Sequence, residues 1–490
     1  MKKIVFVLIL SLVHSLSLSA QDFTESLYST YGNYKEPSLD KRRIKYAQLT
    51  PLIDRLRTNS KFTVKKVGES IEGRDLNLIS LGKGGTPIFL WSQMHGDEPT
   101  ATQAIFDILN FFDSNDFKKE RKIILANTQL HFLPMVNPDG AEVFQRRNAL
   151  GIDINRDALR LQSPEGRVLK RIRDSLDATF GFNLHDQSRY YNAERTPKPA
   201  TISYLATAYN YEKDINEVRE RAMKAIVYMN DVIQKYAPGQ VGRYSDDFEP
   251  RAFGDNIAKW GTSLILIESG GYVNDREKQE IRKLNYVSIL SALYGIATGA
   301  YKDIPIERYE EIPRNDRKLF DLKIENLTYV LNGEEYILDL GIQRQEIDDA
   351  HHDGFHYKSV IVDQGDLSTY YGYKTFDATG YTVVPPRITD QAVPSLSNFD
   401  RLMDYEKWVR AGFGYLRMLN IPGDKVQLPS KINLASEGFQ LPDFKLVVGK
   451  NPTFFLEKGG KLTHAIINGF PLDLSQPLDN QDFGNALIYR

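Results

Sequence analysis

Leu90-Trp-Ser-Gln-Met-His-Gly-Asp-Glu-Pro99 is an apolar run that stops abruptly at two potential metal ligands, His95 and Glu98. A buried strand that ends in ionisable side chains carries them to the rim of a sheet, where ligands gather in α/β folds. An imidazole nitrogen and a carboxylate oxygen suit Zn²⁺, and a catalytic zinc takes three protein ligands of the His₂Glu kind and keeps a fourth position open. A third ligand must come from elsewhere. His185 follows a second apolar run, Thr179-Phe-Gly-Phe-Asn-Leu184, so two strand ends would share one Zn²⁺. H-x-x-E alone arises by chance in a chain with 8 His and 64 acidic residues, and its surroundings decide.

Periodicity outward from this stretch predicts alternating elements. Residues 39–60 have a helical pattern with a break at Pro51, followed by strands at 63–67 and 75–81. Gly82-Lys-Gly-Gly85 lacks a Gly-Lys-Ser/Thr ending and leads into a strand at 87–92, so it is a turn and not a phosphate loop. Helices are expected at 99–112, 163–176, 212–236 and 275–299, and strands at 129–136 and 262–267. His131, well inside its strand, has the place of a packed core histidine. The alternation implies a three-layer α/β domain with a largely parallel central sheet. Residues 301–314 are rich in Pro and charge and mark a boundary. Beyond them come short β-rich runs at 319–324, 329–340, 358–362, 444–448 and 461–467, a mostly β, sandwich-like C-terminal domain with one helix at 397–419. The expected divisions are 1–20, 21–305 and 315–490.

With 490 residues, 41% hydrophobic and 26% charged, the chain is an ordinary folded protein of two domains. A net charge of −2 without a concentrated basic face excludes a nucleic-acid binder, and short patches such as Lys41-Arg-Arg43 are solvated surface. Lys2 and Lys3, an apolar run at 4–10, and then Ser17, Ser19 and Ala20 form an export signal too short to span a bilayer. The mature protein is therefore expected outside the cytoplasm, periplasmic or extracellular, with no membrane attachment once the signal is removed. Zero Cys excludes disulfides, thiolate metal sites and cysteine nucleophiles. His351, His352 and His356 lie beside Asp348, Asp349 and Asp353, and an exposed polar loop accounts for them better than a second metal site.

Several motifs recur in one order: Gly68-Glu-Ser-Ile-Glu-Gly-Arg-Asp75, His95-Gly-Asp-Glu98, Pro134-Met-Val-Asn-Pro-Asp-Gly140, Arg146-Arg-Asn148, Asp153-Ile-Asn-Arg156, Leu184-His-Asp186 and Leu264-Ile-Leu-Ile-Glu268. Across roughly residues 23–298 the chain resembles the zinc carboxypeptidases of the carboxypeptidase A type, in particular an exported bacterial branch. That resemblance implies a mixed eight-stranded sheet, one Zn²⁺, and hydrolysis of the C-terminal bond of peptides carrying a free carboxylate. In the C-terminal part, Ile361-Val-Asp-Gln-Gly-Asp-Leu367, the run from Thr375 to Pro385, and Ala465-Ile-Ile-Asn-Gly469 resemble the β-sandwich pieces that flank the barrel of amidohydrolases. The barrel itself and its His-x-His are missing, so only a sandwich shape is implied.

Glu268 ends an apolar run, where desolvation should raise its pKa and fit it to take a proton from water and return it to an amine. The family pattern implies that Arg146, or the adjacent Arg147, stabilises the oxyanion, and that Asn155 and Arg156 capture the terminal carboxylate. A salt bridge from Arg156 to Asp153 or Asp157 is the competing account. Asp97 stands where pancreatic-type members have a basic residue. Tyr244 is the candidate for the family tyrosine, with surface packing as an equal account. Arg251, from the same loop, would line the side-chain pocket, or pair with Asp246, Asp247 or Glu249. Two alternatives to an ordinary peptide substrate stay open: peptidoglycan peptides reaching the same clamp, and a non-catalytic binding protein that keeps the fold.

Overall fold

A computed structural model describes residues 23–393, 403–421, 430–478, 485 and 487–490. Residues 1–20, expected to be an export signal, lie outside them. The chain divides into two compact units, residues 1–317 and 318–490.

In the first unit the strands are β1 (Thr63–Glu69), β2 (Asp75–Leu81), β3 (Thr86–Ser92), β4 (Thr128–Leu133), β5 (Phe180–Asp186), β6 (Asn192–Ala193), β7 (Ile202–Ala206), β8 (Val241–Arg243), β9 (Ser263–Ser269) and β10 (Asn315–Asp316). Eight of them form one mixed sheet, ordered β1-β2-β4-β3-β5-β9-β7-β8, while β6 and β10 pair separately. β4, β3, β5 and β9 run parallel in sequence, and β7 lies antiparallel to β9.

Alternating side chains bury both faces of this sheet. Ile88 and Leu90 of β3 enter one apolar cluster with helices Thr100–Asp113, Glu217–Ile233 and Gln279–Thr298. Phe89 and Trp91 enter a second cluster with helices Pro164–Leu176 and Phe253–Lys259. A period of two with both phases apolar therefore makes three layers. The helix at 164–176 starts as its pattern indicates, with the Ser163 hydroxyl accepting from Gly166 N at 3.0 Å.

Some expectations need correction. Pro51 does not break its helix, which runs unbroken over Tyr46–Arg57 while the residues before it, from 39, stay irregular. The hydrogen bond and fit lost at an interior proline cost about 3 kcal/mol. Burial of Leu49, Leu52, Ile53 and Leu56 on one face offsets that at roughly 1.5–3 kcal/mol each. The helices Lys118–Asn127 and Phe253–Lys259 and the strands β7 and β8 were not anticipated.

The C-terminal unit is built from two sheets. The larger runs Phe355–Gly365, Glu334–Asp348, Leu319–Leu331, Thr382–Val384, Phe454–Lys458, Lys461–Ile467 and Phe470–Asp473, with Tyr371–Asp377 also pairing with Leu319–Leu331. A smaller, parallel sheet joins Arg387–Ile388, Phe413–Met418, Asn433–Ser436 and Ile488–Tyr489. Leu416, Met418 and Leu434 of the smaller sheet share an apolar cluster with Phe455, Ala465 and Ile467 of the larger.

The expected strand at 329–340 is two strands joined at Asn332-Gly333, an Asn-Gly hairpin signal inside an apolar run. The expected helix at 397–419 is reduced to Met403–Arg410, and its later residues form the strand Phe413–Met418. Gly412, at φ +89°, separates the two, and residues 397–402 lie outside the described ones. Residues 444–448 are irregular, and Phe454–Lys458 is the strand there.

Candidate metal centre

β3, β5 and β9 end side by side, and their register sets the site. Ser92 pairs with Leu184, while His185 pairs directly with Glu268. At the end of β3 the chain turns through Gln93, a non-glycine residue at φ +50°, whose Nε2 donates to Gly96 O at 2.9 Å. Gly96 lies flush on the Asn137–Gly140 turn: a Cβ there would stand 2.1 Å from the Gly140 carbonyl carbon. The two motifs therefore hold each other in place, and only glycine allows that approach.

His95, Glu98 and His185 converge, with ligand atoms within 4.8 Å of one another. His95 Nδ1 is 2.7 Å from Glu98 Oε1, and His185 Nδ1 is 2.6 Å from Glu98 Oε2. All three residues are buried. On its far side His95 Nε2 meets Asp153 Oδ1 at 3.2 Å, the carboxylate–histidine pairing that orients metal-bound imidazoles. Two imidazoles and one carboxylate, with a carboxylate behind one ring and an orphaned buried Nε2 on His185, form a donor set that fits zinc. Among the described residues no other group of three such ligands comes together, and His352 of the second histidine cluster pairs with Asp348 at 3.2 Å. His131 is a packed histidine as expected, its Nδ1 2.8 Å from Ser80 Oγ, and burial followed by the Lys65 charge lowers its pKa.

Burial alone would raise the Glu98 carboxyl, but His95 and His185 hold it well below its ordinary range. Burial would lower His95, yet Glu98 and Asp153 outweigh it and hold the imidazole at about 9. Glu268 goes the other way: burial first, then the Glu98 charge, raise it well above an ordinary carboxyl.

Arg146 reaches across the group. Its Nε donates to Asp153 Oδ2 at 2.9 Å, and its Nη1 lies 3.1 Å from His95 Nδ1 and 3.4 Å from Glu98 Oε1. The neighbouring Arg147 is exposed and donates to Gly151 O.

A cleft of about 200 Å³ opens over the centre, and its lining includes His95, Glu98, Arg146, Asn155, Arg156, His185, Tyr244 and Glu268. Asn155 Oδ1 accepts from Phe253 N at 2.9 Å, at the start of helix Phe253–Lys259. Arg156 Nη1 donates to Asn155 O at 2.7 Å, and its Nε faces Glu249 at 3.4 Å, not Asp153 or Asp157. Tyr244 stacks edge-on to Tyr191, and burial and the Glu268 charge raise its pKa. Arg251 is not among the lining residues. Its side chain is 59% exposed and forks onto both Glu249 oxygens at 3.1 Å.

The lining also includes Asn183, Thr207, Ala208, Ala252, Gly254 and Asp255. Asn183 Oδ1 and Thr207 Oγ1 are buried without a hydrogen-bond partner, and Asp255 Oδ1 accepts from Glu249 N at 2.9 Å. Burial raises the Asp255 carboxyl to about 6.

Residues 50–159 match the family model described as zinc carboxypeptidase. Over this segment the chain is similar to the zinc carboxypeptidases. Carboxypeptidase SOL1 of Arabidopsis thaliana is 26% identical over 219 residues, covering 38% of this chain and 42% of that protein. Carboxypeptidase B of Astacus astacus is 35% identical over 100 residues, 19% of this chain and 32% of that one. The chain thus spans less than half the length of these curated relatives. A metallo-carboxypeptidase structure from Burkholderia cenocepacia is 14% identical with a TM-score of 0.43, over 52% of this chain and 69% of that one.

Eight of the nine site residues expected from sequence line one cleft, and Arg251 stands apart. Sequence reasoning treated Asp153 only as a salt-bridge partner for Arg156. Its place two residues before Asn155, in the segment that crosses beneath His95, was the available signal. Lys278 was also missed: it donates to Asp186 Oδ2 at 3.0 Å, and Thr100 Oγ1 donates to the same oxygen at 2.6 Å. No local pattern links those three positions. Among the described residues no helix is long and apolar enough to cross a membrane.

Proposed function

We propose that this chain is an exported zinc metallocarboxypeptidase that hydrolyses the last peptide bond of substrates with a free C-terminal carboxylate. The observation that carries this reading is the convergence of His95, Glu98 and His185 beside Glu268, with Arg146, Asn155 and Arg156 on the same cleft. Export rests on the basic and apolar pattern of the first twenty residues.

His95, Glu98 and His185 would hold one zinc ion, which when bound supplies the Lewis acidity that makes water a nucleophile near neutral pH. Asp153 keeps the His95 ring oriented with Nδ1 toward the ligand group. Glu268, desolvated and beside His185 in register, takes the proton of the attacking water and passes it to the leaving amine. Arg146 supplies a fixed cation where negative charge develops on the carbonyl oxygen. Arg156, with the Asn155 amide, receives the terminal carboxylate, and this clamp restricts the chemistry to chain ends.

The cleft floor adds a preference. Asn183 Oδ1, Thr207 Oγ1 and the Asp255 carboxyl offer acceptors, and the small residues Gly254, Ala252 and Ala208 line the same cleft. A terminal side chain bearing N–H donors satisfies these groups, whereas an aromatic one leaves them buried and unpaired.

The test is amino-acid release by purified protein from N-blocked dipeptides ending in Lys or Phe and from muropeptides. Zinc-dependent release from the dipeptides, faster for Lys, supports the reading. Release from muropeptides alone rejects the ordinary peptide substrate, and no release from either rejects the function.

A further inference from the structure

The segment that leaves the first unit, residues 306–316, runs along the strands that carry the site. Tyr309 is buried, and its hydroxyl accepts from Ala206 N at 2.9 Å. Pro313 O accepts from Arg243 N at 2.7 Å, and Arg314 O from Glu194 N at 2.9 Å. Asn315 and Asp316 then pair with Ala193 and Asn192.

Asn315 closes a ring of three hydrogen bonds. Its Nδ2 donates to Gln187 Oε1 at 2.7 Å, Gln187 Nε2 donates to Ser203 Oγ at 2.8 Å, and Ser203 Oγ donates to Asn315 Oδ1 at 2.8 Å. Within the ring each member gives one bond and takes one, so the loss of any member leaves each of the other two with one polar group unpaired. Ser203 is fully buried, and Gln187 is nearly so.

The three residues touched by this ring and its neighbour Gly242 all lie next to the chemistry. Ser203 is the cross-strand partner of Glu268. Gln187 follows the ligand His185 by two residues, and its backbone N–H bonds Ser269 O at 3.0 Å, immediately after Glu268. Gly242 lies two residues before Tyr244, and a Cβ there would stand 2.0 Å from Asn315 Oδ1.

We infer that Asn315 is a positioning residue for the site: it locks the ends of β5, β7 and β8 together and so fixes Glu268, His185 and Tyr244 relative to one another. It touches none of the reacting groups itself. This inference rests on the proposed peptidase function for its kinetic part only, because the lock exists in the resting protein. A sub-ångström to ångström shift of a base or ligand costs about 10- to 100-fold in turnover. Asn315→Ala opens the ring, and Gly242→Ala pushes the same amide away from the opposite side.

The experiment compares full-length wild type, Asn315→Ala and Gly242→Ala in two assays: kcat and KM on an N-blocked dipeptide, and hydrogen exchange of peptides spanning residues 185–190 and 241–245. Thermal unfolding and bound zinc are measured alongside. The inference expects kcat about 10- to 100-fold lower in both variants, faster exchange in those two segments only, unchanged zinc content, and a melting temperature lowered by a few degrees with the fold retained. Wild-type kcat in either folded variant with unaltered exchange overturns it, as does a kcat loss that merely follows lost zinc or global unfolding. If one variant does not fold, the other decides. Should the wild type show no turnover, the proposed function fails, and the exchange pattern alone still tests the lock.

Discussion

Replacing Asp255 by asparagine tests the reading of the cleft floor through stability. Burial holds this carboxyl at about 6, against 3.8 for an ordinary aspartate. Its folded-state pKa is raised, so the stability linked to its proton is fully present below pH 3.8 and is lost as pH rises through about 6. At pH 8 the ionised group costs the folded chain about 3 kcal/mol relative to the unfolded one, and at pH 5 about half as much. Asparagine keeps an oxygen to accept the Glu249 N–H and removes the charge. Asp255→Asn should therefore be more stable than wild type by up to about 3 kcal/mol at pH 8, with the gain falling to near zero below pH 4. Urea unfolding at pH 5 and pH 8 at fixed zinc concentration, followed by fluorescence of Trp91 and Trp260, reads this difference. A gain that is the same at both pH values, or a loss that grows with pH, would refute the claim that Asp255 is a desolvated acid. The same variant should lose much of its preference for substrates ending in Lys over Phe, because the floor keeps its acceptors and loses its charge.

Other consequences follow from the same geometry. Glu268→Gln should retain zinc and lower kcat by about 10²- to 10⁴-fold, and a variant that keeps turnover would remove Glu268 from proton transfer. For Arg156→Ala, two charge-assisted bonds discounted for Glu249 competition and partial exposure amount to about 2–4 kcal/mol, or roughly 30- to 700-fold in kcat/KM. That loss is expected on substrates with a free terminal carboxylate and not on their amides, and equal losses on both would contradict the clamp. Arg251→Ala should change kcat/KM less than about threefold, because its exposed guanidinium does not line the cleft and its fork onto Glu249 is within the range of a surface pair.

The proposed metal ligands were legible because His95 and His185 each sit where an apolar run ends. Apolar runs that stop at His95, His185 and Glu268 locate three strand ends, and parallel pairing then puts them side by side. Local pattern could not reveal relations between distant segments. Asp153 behind His95, Lys278 on Asp186 and Asn315 in its ring with Gln187 and Ser203 lie 58, 92 and 112 or more residues from a partner. Arg251 illustrates the converse: of the two accounts its sequence offered, pairing with Glu249 is the one the structure shows, because two residues away that carboxylate matches the guanidinium fork. Pro51 and the Asn332-Gly333 turn were misread for a local reason. A strong punctuator was overridden by buried apolar neighbours in the first case, and an apolar run concealed a turn in the second.

X-ray absorption at the zinc edge on purified protein, beside His185→Ala, measures the central arrangement. One zinc per chain is expected, with two histidine nitrogens and carboxylate oxygen at about 2.0–2.2 Å, and with one imidazole shell lost and weakened retention in the variant. A wild type that binds no zinc, or an unchanged coordination shell in His185→Ala, would contradict it.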